Sequence, residues 1–289
     1  FSLKLFEDVV LSNDTYVNLI LDGPYNLKIH SMGLVDENNK VNFYEGKVRV
    51  VDTVGNEHCK YAASDYQDYI AERVEPWSYL KFPYLKKIGW KGFIEGQDSG
   101  VYQATPLSRL NAADGMATPL AQEAYEKMFK TFNQKPVHAT LAMHWARLVE
   151  LLYSAERMLE LITDPDITGK DLRAEPKKIV GEGVGIVEAQ RGTLTHHYWT
   201  DSKGLVTKAN IVVGTTNNNA AICMSLKKAA QGVIQKGVTV DQGILNMIEM
   251  AFRAYDPCFS CATHSLPGQM PMIVNFRDPK NNIIRSISR

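Results

Sequence analysis

The stretch DPCFSCATH, residues 256–264, decides which fold this chain is expected to have. Its two cysteines, Cys258 and Cys261, stand three residues apart behind an Asp-Pro pair, and His264 follows three residues later. In a tight turn or at the start of a helix, this spacing brings both sulfur atoms to one side, where they can hold one metal ion. Thiolates are soft ligands that favour zinc, copper(I), nickel or iron–sulfur species over magnesium or calcium.

The spacing by itself leaves three interpretations of the cysteine pair open. A structural zinc site needs four ligands, which here would have to include Cys59 with His58 or His264. A thioredoxin-like redox pair favours a helix that begins after a strand, whereas here a helix is expected before the pair. Two buried thiols without a metal are the third interpretation.

Composition and charge exclude several classes of protein. The chain has 289 residues with 32 Lys+Arg and 32 Asp+Glu, and this balance argues against a general nucleic-acid binder. We predict no membrane span, because the most apolar stretch, residues 139–162, is interrupted by charged side chains. Four cysteines are too few for a disulfide scaffold and indicate reduced thiols in a cytoplasmic setting. The chain opens at Phe1 without an initiator Met, and we expect it to be a fragment.

The apolar pattern predicts a helical middle flanked by strand hairpins. Thr118 followed by Pro119 is typical of a helix start, and Asp-Pro pairs are typical of helix ends. Helices are predicted at Thr118–Phe132, Ala139–Thr163, Asn217–Lys236 and Thr239–Tyr255, and hairpins at 26–52, 185–213 and 273–287. An apolar stripe from Leu141 to Ile162 is expected to pack in the core or against another subunit. Residues 1–115 are expected to be a mixed strand and loop region, and 116–264 a helical core that holds the metal site.

The cysteine motif resembles the C-terminal signature D-P-C-x-x-C-x-x-H of the large (alpha) subunit of nickel–iron hydrogenases. The segment VEAQRGTLTHHY, residues 187–198, is similar to the E-A-P-R-G segment of the same family, and the order and separation of the two segments also agree. The resemblance covers essentially the whole chain, which is similar to the C-terminal portion of a large subunit. Its details most resemble the cytoplasmic, methyl-viologen-reducing (deazaflavin-non-reducing) type of methanogens. It implies a mixed α+β, mainly α fold, the nickel–iron hydrogenase large-subunit fold with a long-helix bundle and peripheral β-hairpins.

The resemblance also implies roles for individual residues. In the family, four cysteines hold nickel, and two of them bridge to an iron that carries CO and CN ligands. Cys258 matches a terminal nickel ligand and Cys261 a bridging one. Arg191 and Asp256 match an arginine and an aspartate of the family that line the catalytic site above the open coordination position of the metal. Because the pKa of a guanidinium lies above about 12, positioning and electrostatic stabilisation suit Arg191 better than proton abstraction.

Three further positions take their interpretation from the family. Thr215 matches a hydroxyl beside a cyanide, and Gln190 stands where the family usually has Pro. His264 matches the last residue of the mature subunit, where the imidazole helps to bind a structural Mg or Fe. A maturation endopeptidase is expected to cleave after His264, which would remove residues 265–289 as a C-terminal extension.

The resemblance finally implies partners and an activity. The activity is reversible heterolytic H2 oxidation. Electrons pass to an iron–sulfur small subunit that carries the clusters, and then through an electron-transfer subunit to heterodisulfide reductase. The family's other C-x-x-C pair and the proton-relay glutamate beside it have no counterpart here, and Cys59 and Cys223 are interpreted as buried thiols. Two alternatives remain: a non-catalytic structural subunit of the same fold in a respiratory complex, and a zinc-stabilised interaction module. The metal content distinguishes the three functions: nickel with iron for the hydrogenase, no metal for the structural subunit and zinc for the interaction module.

Overall fold

The computed structural model describes residues 1–173, 175, 178–259 and 273–288. Its helices are α1 (Ser2–Phe6), α2 (Asp14–Asp22), α3 (Tyr66–Tyr69), α4 (Pro106–Ala112), α5 (Pro119–Phe132), α6 (Met143–Thr163), α7 (Gly214–Val233) and α8 (Gln242–Arg253). A π-helical turn covers Glu7–Leu11, and 3₁₀ turns cover Ala63–Asp65, Thr140–Ala142 and Pro165–Thr168. Within the described residues, no helix is long and apolar enough to cross a membrane.

The strands form small sheets around these helices. They are β1 (His30–Val35), β2 (Lys47–Val51), β3 (Glu57–Tyr61), β4 (Ile70–Val74), β5 (Lys81–Leu85), β6 (Tyr102–Gln103), β7 (Glu182–Ala189), β8 (Gly192–Thr200), β9 (Val206–Val212), β10 (Ile273–Arg277) and β11 (Ile283–Ser288). One sheet has the order β3-β2-β1-β6, with β6 parallel to β1 and the other pairs antiparallel. The strands β7-β8-β9 form an antiparallel sheet, and β4-β5 and β10-β11 are hairpins.

The predicted elements are present, with shifted ends. The three predicted hairpins are confirmed, although the first pairs residues 30–35 with 47–51. The long helix begins at Met143 and not at Ala139, because a 3₁₀ turn precedes it. The last helix begins at Gln242, because the Asp241 side chain caps it by accepting from the Ile244 N–H at 3.0 Å. Residues 1–115 contain strands and loops as expected, but also the helices α1 to α4.

The main core lies where α4, α5, α6 and α7 meet. Trp145 of α6 is 1% exposed and packs its ring against those of Phe6 and Phe132. The apolar stripe of α6 is not buried throughout, as Leu159 and Ile162 are 63% and 64% exposed. Core packing therefore accounts only for the N-terminal half of the stripe, because the helix extends beyond the elements that cover it.

Candidate metal centre

Arg191 lies in the two-residue turn that joins β7 to β8. The turn closes through the pairing of Ala189 with Gly192, whose φ is +143°. A Cβ atom at Gly192 would stand 2.2 Å from the carbonyl oxygen of Ala104. A residue with a side chain is therefore excluded at 192 both by backbone conformation and by space, and the Arg-Gly pair is a structural requirement of this turn.

Arg191 forms an ion pair with Asp256 across a separation of 65 residues. Its Nε donates to the Asp256 carbonyl oxygen at 2.6 Å and lies 3.2 Å from the carboxylate Oδ2. Asp256 has a φ of +47°, a left-handed conformation that Asp tolerates better than most residues. Because both side chains are partly exposed, the pair adds little to stability, and its main effect is to orient the guanidinium.

Helix α7 connects this ion pair to the cysteine segment. Thr215, 2% exposed at the start of α7, accepts a hydrogen bond from the Cys258 backbone N–H at 3.1 Å. One turn later, Asn218 donates from Nδ2 to the Arg191 carbonyl oxygen at 2.9 Å. The start of one helix thus holds both Arg191 and Cys258, which are 67 residues apart in the sequence.

Of the residues predicted for the site, the structure brings Arg191, Asp256, Thr215 and Cys258 together. Cys261 and His264 lie outside the described residues, and so does the expected cleavage position after His264. Of the predicted extension 265–289, the structure describes residues 273–288, which include the hairpin β10-β11.

Sequence reasoning missed a buried ion-pair network directly behind the turn. Arg109 of α4 binds Glu150 of α6 through Nε and Nη2, both at 2.6 Å, and reaches Glu188 of β7 through Nη1 at 2.9 Å. All three side chains are at most 8% exposed. Glu188 belongs to the E-A-x-R-G segment and was visible in the sequence, whereas nothing in the local pattern around Arg109 or Glu150 indicates the network.

The network keeps its arginine charged. Burial alone would lower the pKa of Arg109, but the two carboxylates outweigh it and raise that pKa well above the ordinary value. Arg147 lies one turn before Glu150 on α6. Burial lowers its pKa by more than the nearby Asp256 and Glu150 raise it. Arg147 donates to the Ala254 carbonyl oxygen at 2.6 Å and so ties α6 to the end of α8.

A cavity of about 430 Å³ lies beside the turn. Gln190, the residue that replaces the family's usual Pro, is exposed and lines this cavity together with Arg147 and Ser154. The side chain of Gln190, the neighbour of Arg191 in the sequence, therefore lies at a largely apolar cavity that Glu150 and Glu188 also line.

The other two cysteines do not belong to this site. Cys59 and Cys223 are both partly buried, and burial raises the pKa of each thiol to about 11, with Glu57 adding to the effect at Cys59. Without a metal, both thiols are therefore expected to be protonated near neutral pH. In the part of the chain that the structure describes, no group of three or more His, Cys, Asp or Glu side chains is placed to hold a metal, which gives no support to a zinc site built on Cys59 and His58.

The chemistry of the assembled residues fits a thiolate-bound redox metal. In its reduced form Cys258 would offer a soft thiolate ligand, and its backbone N–H donates to Thr215. The Arg191 guanidinium supplies a permanent positive charge in the same site, and within the described residues its terminal amino groups have no hydrogen-bond partner. Such a group is available to an anionic metal ligand or to charge that develops during a reaction.

Comparison with known proteins shows the family to which the chain belongs. Residues 11–264 match the family model described as nickel-dependent hydrogenase. The chain is 49% identical over 286 residues to an iron-sulfur subunit of the F420-non-reducing hydrogenase of Archaeoglobus profundus, covering 99% of this chain and 59% of that protein. It is 45% identical to a subunit of the F420-non-reducing hydrogenase of Methanothermobacter marburgensis, covering 91% and 54%. The NAD-reducing hydrogenase HoxS subunit beta of Cupriavidus necator is 39% identical, with 99% and 57% covered.

Comparison with solved structures agrees with the family match. The crystal structure of NAD+-reducing [NiFe]-hydrogenase in the H2-reduced state superimposes with a TM-score of 0.81 at 37% identity, covering 91% of this chain and 56% of that one. The H2-activated Dm. baculatum [NiFeSe]-hydrogenase, at 17% identity and a TM-score of 0.56, shares the fold. The chain belongs to the nickel-dependent hydrogenase family and has its large-subunit fold. Its expected similarity to the deazaflavin-non-reducing type is confirmed by these relatives, of whose length it spans 54% to 59%.

Proposed function

We propose that this chain is the C-terminal portion of the catalytic large subunit of a nickel–iron hydrogenase, which interconverts H2 with two protons and two electrons. The observation that carries the proposal is that the Arg191–Asp256 ion pair lies two residues before Cys258, whose backbone N–H donates to Thr215, in a member of the nickel-dependent hydrogenase family. Retention of both cysteines of the motif distinguishes it from a subunit of this fold that holds no nickel.

Cys258 and Cys261 would hold a nickel–iron centre whose iron carries CO and CN ligands. When bound, this centre supplies the Lewis-acidic and redox chemistry needed for heterolytic cleavage of H2. Arg191 would act through its charge and position, with Nε bound to Asp256. Thr215 fixes the Cys258 backbone, and its hydroxyl is proposed to lie near a cyanide. His264 would help to bind Mg or Fe.

The proposal includes partners and processing. Electrons would pass to an iron–sulfur small subunit, which carries the clusters, and on through an electron-transfer subunit to an acceptor system such as heterodisulfide reductase. A maturation endopeptidase would cut after His264, with residues 116–264 as the mature core after the mixed region 1–115. We propose a cytoplasmic location for the complex.

The test is metal analysis of a matched pair of cysteine variants, made in the full-length large subunit, which is purified together with its small subunit. Cys258→Ser is expected to lose nickel and viologen-linked H2 oxidation, whereas Cys223→Ala, which alters a thiol on α7 outside the site, is expected to retain both. Full nickel content in Cys258→Ser would contradict the proposal. Zinc instead of nickel in the unaltered complex would favour the interaction module, and an absence of both metals the non-catalytic subunit.

A further inference from the structure

The turn that carries Arg191 is preceded by a carboxylate that is 1% exposed, that of Glu188. Its Oε1 accepts from the Leu34 backbone N–H at 2.7 Å and from the Thr193 hydroxyl at 3.0 Å. Leu34 lies on β1, in a different sheet, and Thr193 lies on the opposite side of the turn. One oxygen atom therefore ties both sides of the turn to a neighbouring sheet.

The second carboxylate oxygen of Glu188 binds the buried Arg109. Its Oε2 accepts from Arg109 Nη1 at 2.9 Å, and the same nitrogen donates to the Ala189 carbonyl oxygen at 2.8 Å. The remaining bonds of Arg109 go to Glu150 and hold the guanidinium in one orientation. The last two residues of β7 are thus fixed to a buried cation that itself has little freedom to move.

We propose that Glu188 is a positioning residue that sets where the Arg191 guanidinium lies; its catalytic consequence rests on the proposed function. Arg191 has a long, flexible side chain, and its Nε bonds to Asp256 are partly exposed and weak by themselves. The position of its guanidinium therefore depends on where the backbone of the turn places the Cα atom of Arg191. Gln190 cannot supply the rigidity that Pro would give at that position, so Glu188 provides the constraint from the strand before it.

The network contains its own matched control. Glu188→Gln and Glu150→Gln each remove one negative charge from the same buried Arg109 and change the shape of the side chain very little. Glu188 bonds directly to Thr193 across the turn, whereas the bonds of Glu150 to the network go only to Arg109. A merely structural role predicts similar effects of both changes, and a positioning role predicts a clearly larger effect on Arg191 from Glu188→Gln.

The experiment measures Arg191 directly and then measures the reaction. In the complex with the full-length large subunit, phenylglyoxal modification of Arg191 is followed by peptide mass spectrometry. Glu188→Gln is expected to speed that modification by roughly tenfold, since it releases hydrogen bonds to a charged group. Viologen-linked H2 oxidation is expected to fall by about 100-fold at unchanged nickel content, the cost of a small misplacement of a catalytic group. Glu150→Gln is expected to change both rates severalfold less than Glu188→Gln does, because it leaves the direct bonds of Glu188 to Leu34 and Thr193 in place.

Equal modification rates in Glu188→Gln and the unaltered complex would overturn the proposal, and so would equal increases in both variants. Should Glu188→Gln fail to fold, Thr193→Val removes one donor without touching a charge, and a smaller increase in Arg191 modification is then expected. The labelling result decides the positioning role by itself. If the unaltered complex holds no nickel and oxidises no H2, the proposed function fails while the labelling contrast still stands.

Discussion

At the scale of single residues, the candidate site depends on a guanidinium that an ammonium cannot replace. Arg191→Lys keeps the positive charge but loses the planar donor set that contacts both the backbone and the side chain of Asp256. We expect viologen-linked H2 oxidation to fall by roughly 100-fold to 1,000-fold, the usual cost of removing one preorganised electrostatic group. Nickel and iron content, measured by mass spectrometry, should stay unchanged. Arg73→Lys, at an exposed ion pair on β4, is the control and should retain full activity.

A second residue-scale prediction concerns acid stability. Burial, with His58 adding to the effect, lowers the pKa of His30 to about 4, and the ring nitrogen Nδ1 is buried without a partner among the described residues. In the unfolded chain the His30 imidazole is protonated at about pH 6.5, whereas in the folded chain it stays neutral down to about pH 4. Between these two pH values protonation favours the unfolded state, so the free energy of unfolding is highest above pH 6.5 and falls as the pH falls toward 4. The loss should reach about 3 kcal/mol at the lower end of this window.

His30→Phe removes the titration and should flatten this part of the stability profile. Urea unfolding followed by circular dichroism, from neutral pH down to about pH 4, compares the variant with the unaltered chain. An unchanged acid limb in the variant would show that other groups, such as Asp52 or His58, control the loss.

At the scale of elements, helix α5 is capped by a side chain from another helix. Thr118 is the N-cap residue that the sequence predicted, but its hydroxyl donates to Glu156 of α6 at 2.6 Å and caps no backbone N–H itself. Glu156 instead accepts from the N–H groups of Leu120 and Ala121 at 3.0 and 2.9 Å. The carboxylate therefore satisfies unpaired donors at the positive end of α5 and joins the two helices.

Glu156→Ala should reduce the free energy of unfolding by about 1 to 2 kcal/mol, the typical value of a helix cap. Glu160→Ala is the matched control, one turn later on α6, where the carboxylate pairs with Arg157 at the surface. Its loss should be at most about 0.5 kcal/mol. Urea midpoints of the two variants measure the difference, and equal midpoints would contradict the capping role.

At the scale of the whole molecule, one buried arginine joins elements that are far apart in the sequence. Arg109 lies on α4 and binds carboxylates from α6 and β7, which are 41 and 79 residues away. Arg109→Met would leave Glu150 and Glu188 buried close together without a cation. We expect a loss of about 3 to 5 kcal/mol in the free energy of unfolding, the usual cost of breaking a buried ion pair from one side.

The loss should be smaller near pH 5 than near pH 8, since uncompensated buried carboxyls have raised pKa values and become neutral as the pH falls. Chemical denaturation at both pH values measures this, with Arg73→Met as the exposed control, which should cost less than about 1 kcal/mol. A loss no larger than that of the control would mean that the network does not hold the elements together.

Local sequence was sufficient to predict several of the helices and hairpins. Helix and strand periodicity, Asp-Pro stops and turn residues act over a few neighbours, so α5, α6 and the three hairpins could be predicted to within a few residues. The two motifs are also local, and their resemblance to the hydrogenase segments predicts Arg191, Asp256 and Cys258 as site residues.

The surroundings of those residues, in contrast, depend on tertiary packing. The contacts of Arg109 with Glu150 and Glu188, and those of Asn218 with Arg191, join positions separated by 27 to 79 residues. The partners of a buried charged residue lie on other elements, so the hydrophobic periodicity of its own segment does not reveal them. The sequence thus proposes the site residues through two local motifs, while the packing of α4, α6, α7 and β7 determines where those residues lie.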